Sequence, residues 1–269
     1  MTQADAATDG LTLYHAPSSY YSMIARLSLA EAGLAYRPVY MDIHLRASQQ
    51  QPAYARLNPN MTVPTLVRPG QALDQSRAIA EFAFGLPDVA LDAETRGWLD
   101  LHYGYPIEEL TFGGLLARNP VARLMIPKVL ARSHRRLLAL APANPDLAPL
   151  YRARAEVFAG RVRTFDPQQV QALSLARRAQ AIGFLDRLEA NFADRRQTIV
   201  AAGYGVADAV WTVFLGRMEF AGLGAEVARR PALARYWAAM QARASFAAAD
   251  IWTRMDLGRL LGAILWPPK

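Results

Sequence analysis

The chain has 269 residues, 52% hydrophobic and 20% charged, which is enough for one large or two modest globular domains. It contains no cysteine, which excludes disulfides, cysteine-type zinc sites and any mechanism with an enzyme thiolate as nucleophile. The net charge is +7 and is unevenly distributed: residues 1–90 carry six arginines against seven acids, and the remainder carries 24 basic against 16 acidic groups.

Four arginine pairs contribute to this excess, and each lies within a helical pattern: 135–136, 177–178, 195–196 and 229–230. Solvated helix faces explain such pairs, and this is the favoured interpretation. An anionic partner is the alternative. No basic motif with interleaved aromatic residues predicts nucleic-acid binding.

The first ten residues are small and polar, and they lack the basic and apolar regions of a signal peptide. We therefore interpret residues 1–10 as a polar tail and expect a cytoplasmic protein.

Short strand and helix patterns alternate over the next eighty residues. Leu11–Tyr14 predicts a strand, and the turn at Pro17–Ser19 leads into a helix that ends near Gly33. Residues 39–43 and 63–67 predict two more strands, with a polar linker between them.

A hairpin and a helix complete this part of the pattern. Pro69-Gly70 is a strong turn signal, so Ala72-Leu73 can pair back on the preceding strand. Ser76 is predicted to cap a helix that runs to about Phe84. The order β-α-β followed by β-β-α predicts a thioredoxin-like α/β domain over residues 11–86.

From Asp92 onward the patterns are helical and are separated by proline and glycine. They predict an all-α domain over residues 92–256. The last residues, 257–269, form an apolar tail that is too short to span a bilayer. No transmembrane segment is expected.

Two motifs at this spacing resemble the cytosolic glutathione transferase family. Asn58–Leu66 resembles the segment N-P-x-x-x-V-P-x-L, and Gln75–Ile79 resembles a Gln-Ser-x-Ala-Ile segment. In the second half, Gly205–Trp211 resembles the start of that family's buried helix. The resemblance covers nearly the whole chain and implies a thioredoxin-like domain that holds glutathione, followed by a helical domain that shapes a second substrate's pocket.

Further segments are most similar to a bacterial branch of that family that includes tetrachlorohydroquinone dehalogenase and β-aryl etherases. They are Ser19–Met23, Tyr54–Asn58, Ala207–Val213 and Met240–Phe246. The dehalogenase has a reactive cysteine where this chain has Tyr21, so thiol-disulfide resolution by that residue is not available here.

The resemblance assigns the glutathione contacts residue by residue. The peptide bond between Val63 and Pro64 is expected to be cis, which presents the Val63 main chain to the cysteinyl backbone of glutathione. Gln75 and Ser76 are expected at the γ-glutamyl end, because a helix N-terminus suits a carboxylate. Arg77 can add charge there, or it can be only an exposed arginine. Gln49, with Gln50 and Gln51, lies where relatives place polar contacts to the glycine carboxylate, and a solvated linker is the alternative for these glutamines.

The activating hydroxyl is predicted to be that of Ser19. Ser18, Tyr20, Tyr21 and Ser22 crowd the same turn and remain alternatives. A hydroxyl donor at a helix N-terminus stabilises a thiolate, but a serine there can equally be only a helix cap.

An aromatic-rich run interrupted by glycines is the candidate wall of the substrate pocket, and packing in a core is the alternative for it. Its members are Tyr103, Tyr105, Phe112 and Leu116. The four histidines show no metal-ligand spacing, so no metal is expected.

The predicted function is that of a glutathione transferase-like enzyme. Glutathione thiolate would attack an electrophilic carbon of an apolar, aromatic small molecule in a conjugation, etherase or lyase reaction. A non-catalytic binding or scaffold protein with the same fold is the alternative. A homodimer is expected, because two-fold dimers are the commonest assemblies.

Overall fold

The computed structural model describes residues 10–86, 91–254 and Gly258. Apart from Gly10 and Gly258, the predicted tails at 1–10 and 257–269 lie outside these residues.

Four strands and three helices form before residue 86. The strands are Thr12–His15 (β1), Arg37–Tyr40 (β2), Thr65–Arg68 (β3) and Gln71–Leu73 (β4). The helices are Tyr20–Glu31 (α1), Pro52–Leu57 (α2) and Ser76–Ala83 (α3).

Residues 91–254 form helices and no strand. These are Ala93–Tyr103 (α4), Ile107–Arg118 (α5), Pro120–Ala143 (α6), Ala148–Thr164 (α7), Val170–Asn191 (α8), Val206–Phe220 (α9), Gly224–Ala228 (α10), Pro231–Gln241 (α11) and Ala244–Ala248 (α12). The predicted combination of a thioredoxin-like α/β part and a helical remainder is confirmed.

The sheet has the order β2-β1-β3-β4. β1 pairs with β2 in parallel, whereas β1 with β3 and β3 with β4 are antiparallel. A parallel pair joined through a helix, followed by a hairpin, is the layout that the sequence predicted.

Helices α1 and α3 cover one face of this sheet. Leu13 and Leu66 point from β1 and β3 into a cluster with Leu29 of α1 and Ile79 of α3, and all four side chains are fully buried. Because side chains alternate along a strand, Thr12 and Tyr14 lie on the other face of β1. The core therefore fixes where α1 and α3 begin relative to the strand ends.

The chain divides into two compact units. One comprises Met1–Leu45, Val63–Tyr105 and Gly183–Lys269, and the other comprises Arg46–Thr62 and Pro106–Ile182. The predicted domain boundaries at 11–86 and 92–256 stay a prediction.

In the second unit, α6 and α7 form an antiparallel pair whose core also includes the α2 region. Leu137 of α6 and Tyr151 of α7 pack in one cluster with Ala55 and Met61. The Tyr151 hydroxyl donates to the carbonyl of Gln50. The polar linker of the sequence analysis is thus a 3₁₀ turn at Ser48–Gln50 followed by α2. A six-residue helix is too short to show a helical period, so the sequence pattern missed it.

In the first unit, α9 is the most deeply buried helix. Asp208, in its first turn, is fully buried, and its carboxylate accepts from the main-chain N–H groups of Ile199 and Gly205 and from the Tyr236 hydroxyl, at 2.8–3.0 Å. Asp208 therefore has a structural role: its three hydrogen bonds tie the helix start to the preceding loop and to α11.

Candidate functional site

Three segments meet at one end of the sheet. Tyr14 of β1 pairs with Thr65 of β3, so the turn after β1 lies beside the residues that precede β3. Leu73 of β4 pairs with Leu66, so the chain leaves β4 at this same end and enters α3. The start of α1, the Val63-Pro64 segment and the start of α3 are therefore neighbours.

The Val63-Pro64 segment enters β3 through a cis peptide bond, as predicted. Within the described part of the chain, the Val63 main chain has no hydrogen-bond partner. Thr65, the residue after Pro64, is the first residue of this segment that pairs with β1. A main-chain segment beside a strand end whose N–H and C=O groups are not engaged can pair with a peptide-like ligand in the manner of an added strand.

At the start of α1, Ser19 is the N-cap residue. Its hydroxyl oxygen accepts from the Ser22 N–H at 3.3 Å, and its side chain is half-buried. Accepting this bond uses a lone pair, so the hydroxyl hydrogen of Ser19 is still able to donate. Capping and donation to a ligand are compatible at this residue.

The other hydroxyls of this turn differ in their surroundings. Ser22 is fully buried and its Oγ accepts from the Ala16 N–H. The Ser18 hydroxyl lies 2.9 Å from Nε2 of His44. Tyr21 is half-buried and packs edge-on against Tyr20. Ser18, Ser19 and Tyr21 are thus the hydroxyl residues with partly exposed side chains.

Tyr20 is buried, and its hydroxyl lies 2.5 Å from Nε2 of His102 on α4. The Arg217 guanidinium lies over the Tyr20 ring, 5.3 Å from its centroid. Burial raises the pKa of Tyr20 well above its usual value, although Arg217 opposes this. Tyr20 therefore stays protonated, and its buried hydroxyl is engaged by His102, which makes it a poor activator of a thiol. No local sequence pattern predicts this contact, because the two residues lie 82 positions apart.

Burial also lowers the pKa of His102 to about 3, so this imidazole is neutral near pH 7. In the unfolded chain a histidine binds its proton near pH 6.5. Below that pH the unfolded state binds more protons than the folded state, so His102 makes the free energy of unfolding fall as the pH falls from about 6.5 toward 3.

We expect the titration of His102 to lower the free energy of unfolding by about 2 kcal/mol at pH 5. Replacing His102 with glutamine removes the titrating group and keeps a hydrogen-bonding side chain beside Tyr20. Urea unfolding of both proteins at pH 7.5 and pH 5 should show the wild-type protein losing about 2 kcal/mol more than His102→Gln. Equal losses in the two proteins would contradict a neutral, buried His102.

At the start of α3 the structure corrects the sequence prediction. Gln75, not Ser76, is the N-cap residue, because the first helical bond runs from the Ile79 N–H to the Gln75 carbonyl. Gln75 is exposed, and its side chain makes no capping bond. Ser76 is the first helical residue, and its buried hydroxyl donates to the Tyr103 hydroxyl oxygen at 3.4 Å. The N–H groups of the first turn of α3 point to the helix N-terminus and suit an anion.

Tyr103 is therefore linked to the start of α3. Burial raises its pKa well above the usual value, so the phenol stays protonated. Because its oxygen accepts from Ser76, its own hydrogen can be donated elsewhere.

Arg77 is already engaged by two carboxylates. Its guanidinium contacts Glu81 at 2.9 Å and Asp100 at 2.6 Å, and it lies over the Tyr103 ring. These contacts hold α3 against α4. Because both carboxylates already neutralise the Arg77 guanidinium, Arg77 attracts a ligand carboxylate less strongly than the sequence analysis expected.

Gln49 belongs to the second unit, in the 3₁₀ turn before α2. Its side-chain oxygen is buried and has no hydrogen-bond partner among the described residues. The neighbouring Gln50 is buried as well.

The candidate substrate-pocket residues are not all alike. Tyr105 is 2% exposed and packs edge-on against Phe184 and Phe214 in the first unit. Leu116 is 1% exposed and packs with Phe165 in the second unit. Phe112, also in the second unit, is partly exposed and contacts Phe165 edge-on. Tyr105 and Leu116 are therefore packed in a core, which is the alternative that the sequence analysis left open for them.

Among the described residues, no group of three or more histidines, aspartates and glutamates is arranged to hold a metal ion. None of the described helices combines the length and the hydropathy that crossing a lipid bilayer requires.

Comparison with known proteins identifies the N-terminal domain. Residues 9–83 match the family model of the glutathione S-transferase N-terminal domain. The chain has a glutathione S-transferase N-terminal domain. Val63, Pro64, Gln75 and Ser76 lie inside that matched region, as does the turn with Ser19.

Relatives extend the similarity over most of the chain. The tetrachloro-p-hydroquinone reductive dehalogenase of Sphingobium chlorophenolicum is 28% identical over 248 residues, which cover 90% of this chain and 96% of the relative. The β-etherase LigF of Sphingobium sp. strain SYK-6 superposes with a TM-score of 0.64 at 20% identity, covering 89% of this chain and 98% of that one. A glutathione S-transferase III in apo form gives a TM-score of 0.59 at 22% identity, with coverage of 96% and 99%. The structural matches show that the chain has the glutathione transferase fold.

Proposed function

We propose that the protein is a glutathione-dependent enzyme of the transferase type. The thiolate of glutathione attacks an electrophilic carbon of an apolar, aromatic small molecule. The observation that carries this proposal is the meeting of a donor hydroxyl, the Val63-Pro64 main chain and a helix N-terminus at one end of the sheet. The names of the family model and of the relatives support it.

Glutathione would be held mainly by main-chain groups. The Val63 N–H and C=O pair with its cysteinyl backbone, and the start of α3 receives the γ-glutamyl carboxylate. The exposed Gln75 amide adds a contact there, and Ser76 offers its main-chain N–H. Contacts from Arg77 and from Gln49, the latter to the glycine carboxylate, rest on the family resemblance alone.

The thiol needs activation. Free glutathione resembles cysteine, whose pKa of about 8.5 leaves only a few per cent as thiolate at pH 7. Lowering that pKa by about two units requires roughly 2.7 kcal/mol of preferential thiolate stabilisation. We assign this to the Ser19 hydroxyl together with the N-terminus of α1.

The second substrate would lie near Tyr103, whose protonated hydroxyl can donate to a developing negative charge. Conjugation, ether cleavage and lyase chemistry are all compatible with this arrangement. Since the chain has no cysteine, a reaction that requires an enzyme thiol is excluded. We further propose that the enzyme is a cytoplasmic homodimer.

The alternative is a binding protein with the same fold. Its support is that Ser19 already serves as a helix cap, which explains the residue without any chemistry. Retention on immobilised glutathione, together with turnover of a chlorodinitrobenzene electrophile, separates the two functions. Retention without turnover favours the binding protein, and loss of both contradicts the glutathione site itself.

Gln75→Ala tests the γ-glutamyl contact. A hydrogen bond to a charged group contributes about 1.5–3 kcal/mol, so we expect glutathione affinity to fall at least about tenfold by calorimetry. Gln71→Ala is the matched control, because Gln71 is an exposed glutamine on β4 that bonds only to Arg68 among the described residues. If both variants lose glutathione affinity equally, or if Gln75→Ala loses none, Gln75 does not contact glutathione.

A further inference from the structure

The positive charge of the protein is concentrated in the second unit. Its residues, 46–62 and 106–182, contain fourteen arginines and lysines and five acids, a net charge of +9. The whole chain carries +7, so the rest of the molecule is slightly acidic. Three of the five acids are already paired: Glu108 with Arg161, Glu109 with Arg177, and Asp146 with Arg56.

Helix α6 carries much of this charge. It has 24 residues, and its sequence contains five arginines and lysines and no aspartate or glutamate. Only Leu137 and Ala141 of this helix are buried, and they pack against the core with α7. Most of the helix circumference therefore faces away from that core.

The exposed side of α6 combines apolar and basic residues at helical spacing. We call the following exposed residues the α6 face: Val121, Leu124, Met125, Lys128, Val129, Arg132 and Arg135. Its apolar members occupy the N-terminal turns and are 46–69% exposed. Within the described part of the chain, none of its basic members forms an ion pair. Two other arginines of α6 point elsewhere, since Arg123 donates to the Pro167 carbonyl and Arg136 to the Arg46 carbonyl.

We propose that the α6 face binds the surface of an anionic lipid bilayer. The basic residues attract lipid phosphates, and the four apolar side chains enter the boundary between head groups and acyl chains. Such a helix lies in the interface and does not cross it, which agrees with the absence of a bilayer-spanning helix among the described residues.

Two other occupants are less suited to this surface. A second copy of the chain would place the same positive charges opposite each other, because a two-fold interface pairs a patch with itself. A nucleic acid would be bound by basic and aromatic residues together, and α6 has no phenylalanine, tyrosine or tryptophan. An anionic bilayer satisfies both the charge and the exposed apolar groups.

The test is flotation of the full-length protein with lipid vesicles. Vesicles of phosphatidylcholine with about a third phosphatidylglycerol should bind the protein at least tenfold more tightly than phosphatidylcholine alone, and binding should weaken as salt rises. Each basic residue near such a surface contributes roughly fivefold. Arg132→Glu with Arg135→Glu should therefore lower binding by about 25-fold or more.

Matched controls separate the α6 face from general charge and hydrophobicity. Arg96→Glu with Arg235→Glu makes the same charge change at exposed sites of the first unit and should lower binding much less. Leu124→Gln should lower binding severalfold, whereas Leu45→Gln, at a leucine of similar exposure in the first unit, should not. All these positions are exposed, so thermal unfolding should be unchanged.

The proposal is overturned if the wild-type protein does not bind anionic vesicles, even if it binds an acidic protein. It is also overturned if the control pair weakens binding as much as the α6 pair does. Glutathione binding plays no part in this assay, so the result is independent of the proposed function.

Discussion

Ser19→Ala is expected to raise the pKa of enzyme-bound glutathione by about one to two units. The Ser19 hydroxyl is half-buried at the start of α1 and keeps a hydrogen to donate. A charge-assisted hydrogen bond is worth roughly 1.5–3 kcal/mol, which corresponds to that shift. Ultraviolet thiolate absorbance titrated against pH measures it directly. Because the thiolate fraction at pH 7 falls, the rate constant at that pH should drop about 3- to 25-fold.

Because Ser19 is also the helix cap, a second substitution separates the two roles. Alanine at an N-cap costs about 1 kcal/mol of stability, whereas glycine costs only a few tenths. Ser19→Gly should therefore shift the thiol titration as much as Ser19→Ala does, with a smaller loss of stability. Ser19→Thr keeps the hydroxyl and should retain most of the activity.

The neighbouring hydroxyls supply the outcomes that would contradict this assignment. If Ser19 variants titrate like the wild type while Ser18→Ala or Tyr21→Phe shifts the thiol pKa, the activating residue is one of those two. If no variant of the turn shifts it, the binding-protein alternative replaces the enzyme.

Asp208→Ala should lower the free energy of unfolding by about 3–5 kcal/mol. The substitution removes the acceptor of three hydrogen bonds and leaves the donors of Ile199, Gly205 and Tyr236 unpaired in a buried site. The total free energy of unfolding of a typical domain is only about 5–15 kcal/mol, so the variant should unfold at a much lower urea concentration than the wild-type protein.

Asp92→Ala is the control for a helix cap without burial. Asp92 caps α4 at an exposed position, where its carboxylate accepts from Thr95. Asp92→Ala should lower the free energy of unfolding by only a small fraction of the decrease in Asp208→Ala, since water replaces the lost acceptor. Similar losses in the two variants would contradict the importance of burial at Asp208.

Much of the fold could be predicted from the sequence because its signals are local. The four strands lie within two residues of their predicted starts, since each is bounded by proline, glycine or a polar turn. Two motifs at a fixed spacing indicated the family, and a match to residues 9–83 confirms the N-terminal domain. The α2 helix was missed because six residues carry no measurable period.

The sequence by itself determined that any sulfur chemistry must use a thiol from outside the chain, and that Val63-Pro64 opens a strand. Both follow from residue identity and local order. Only the tertiary structure decided which hydroxyls of the α1 turn are accessible, because Tyr20 is removed from the surface by His102, 82 residues away. It likewise decided that Arg77 is engaged by Asp100 and that Ser76 donates to Tyr103. Contacts between residues far apart in the chain depend on how helices pack, and no local pattern encodes that packing.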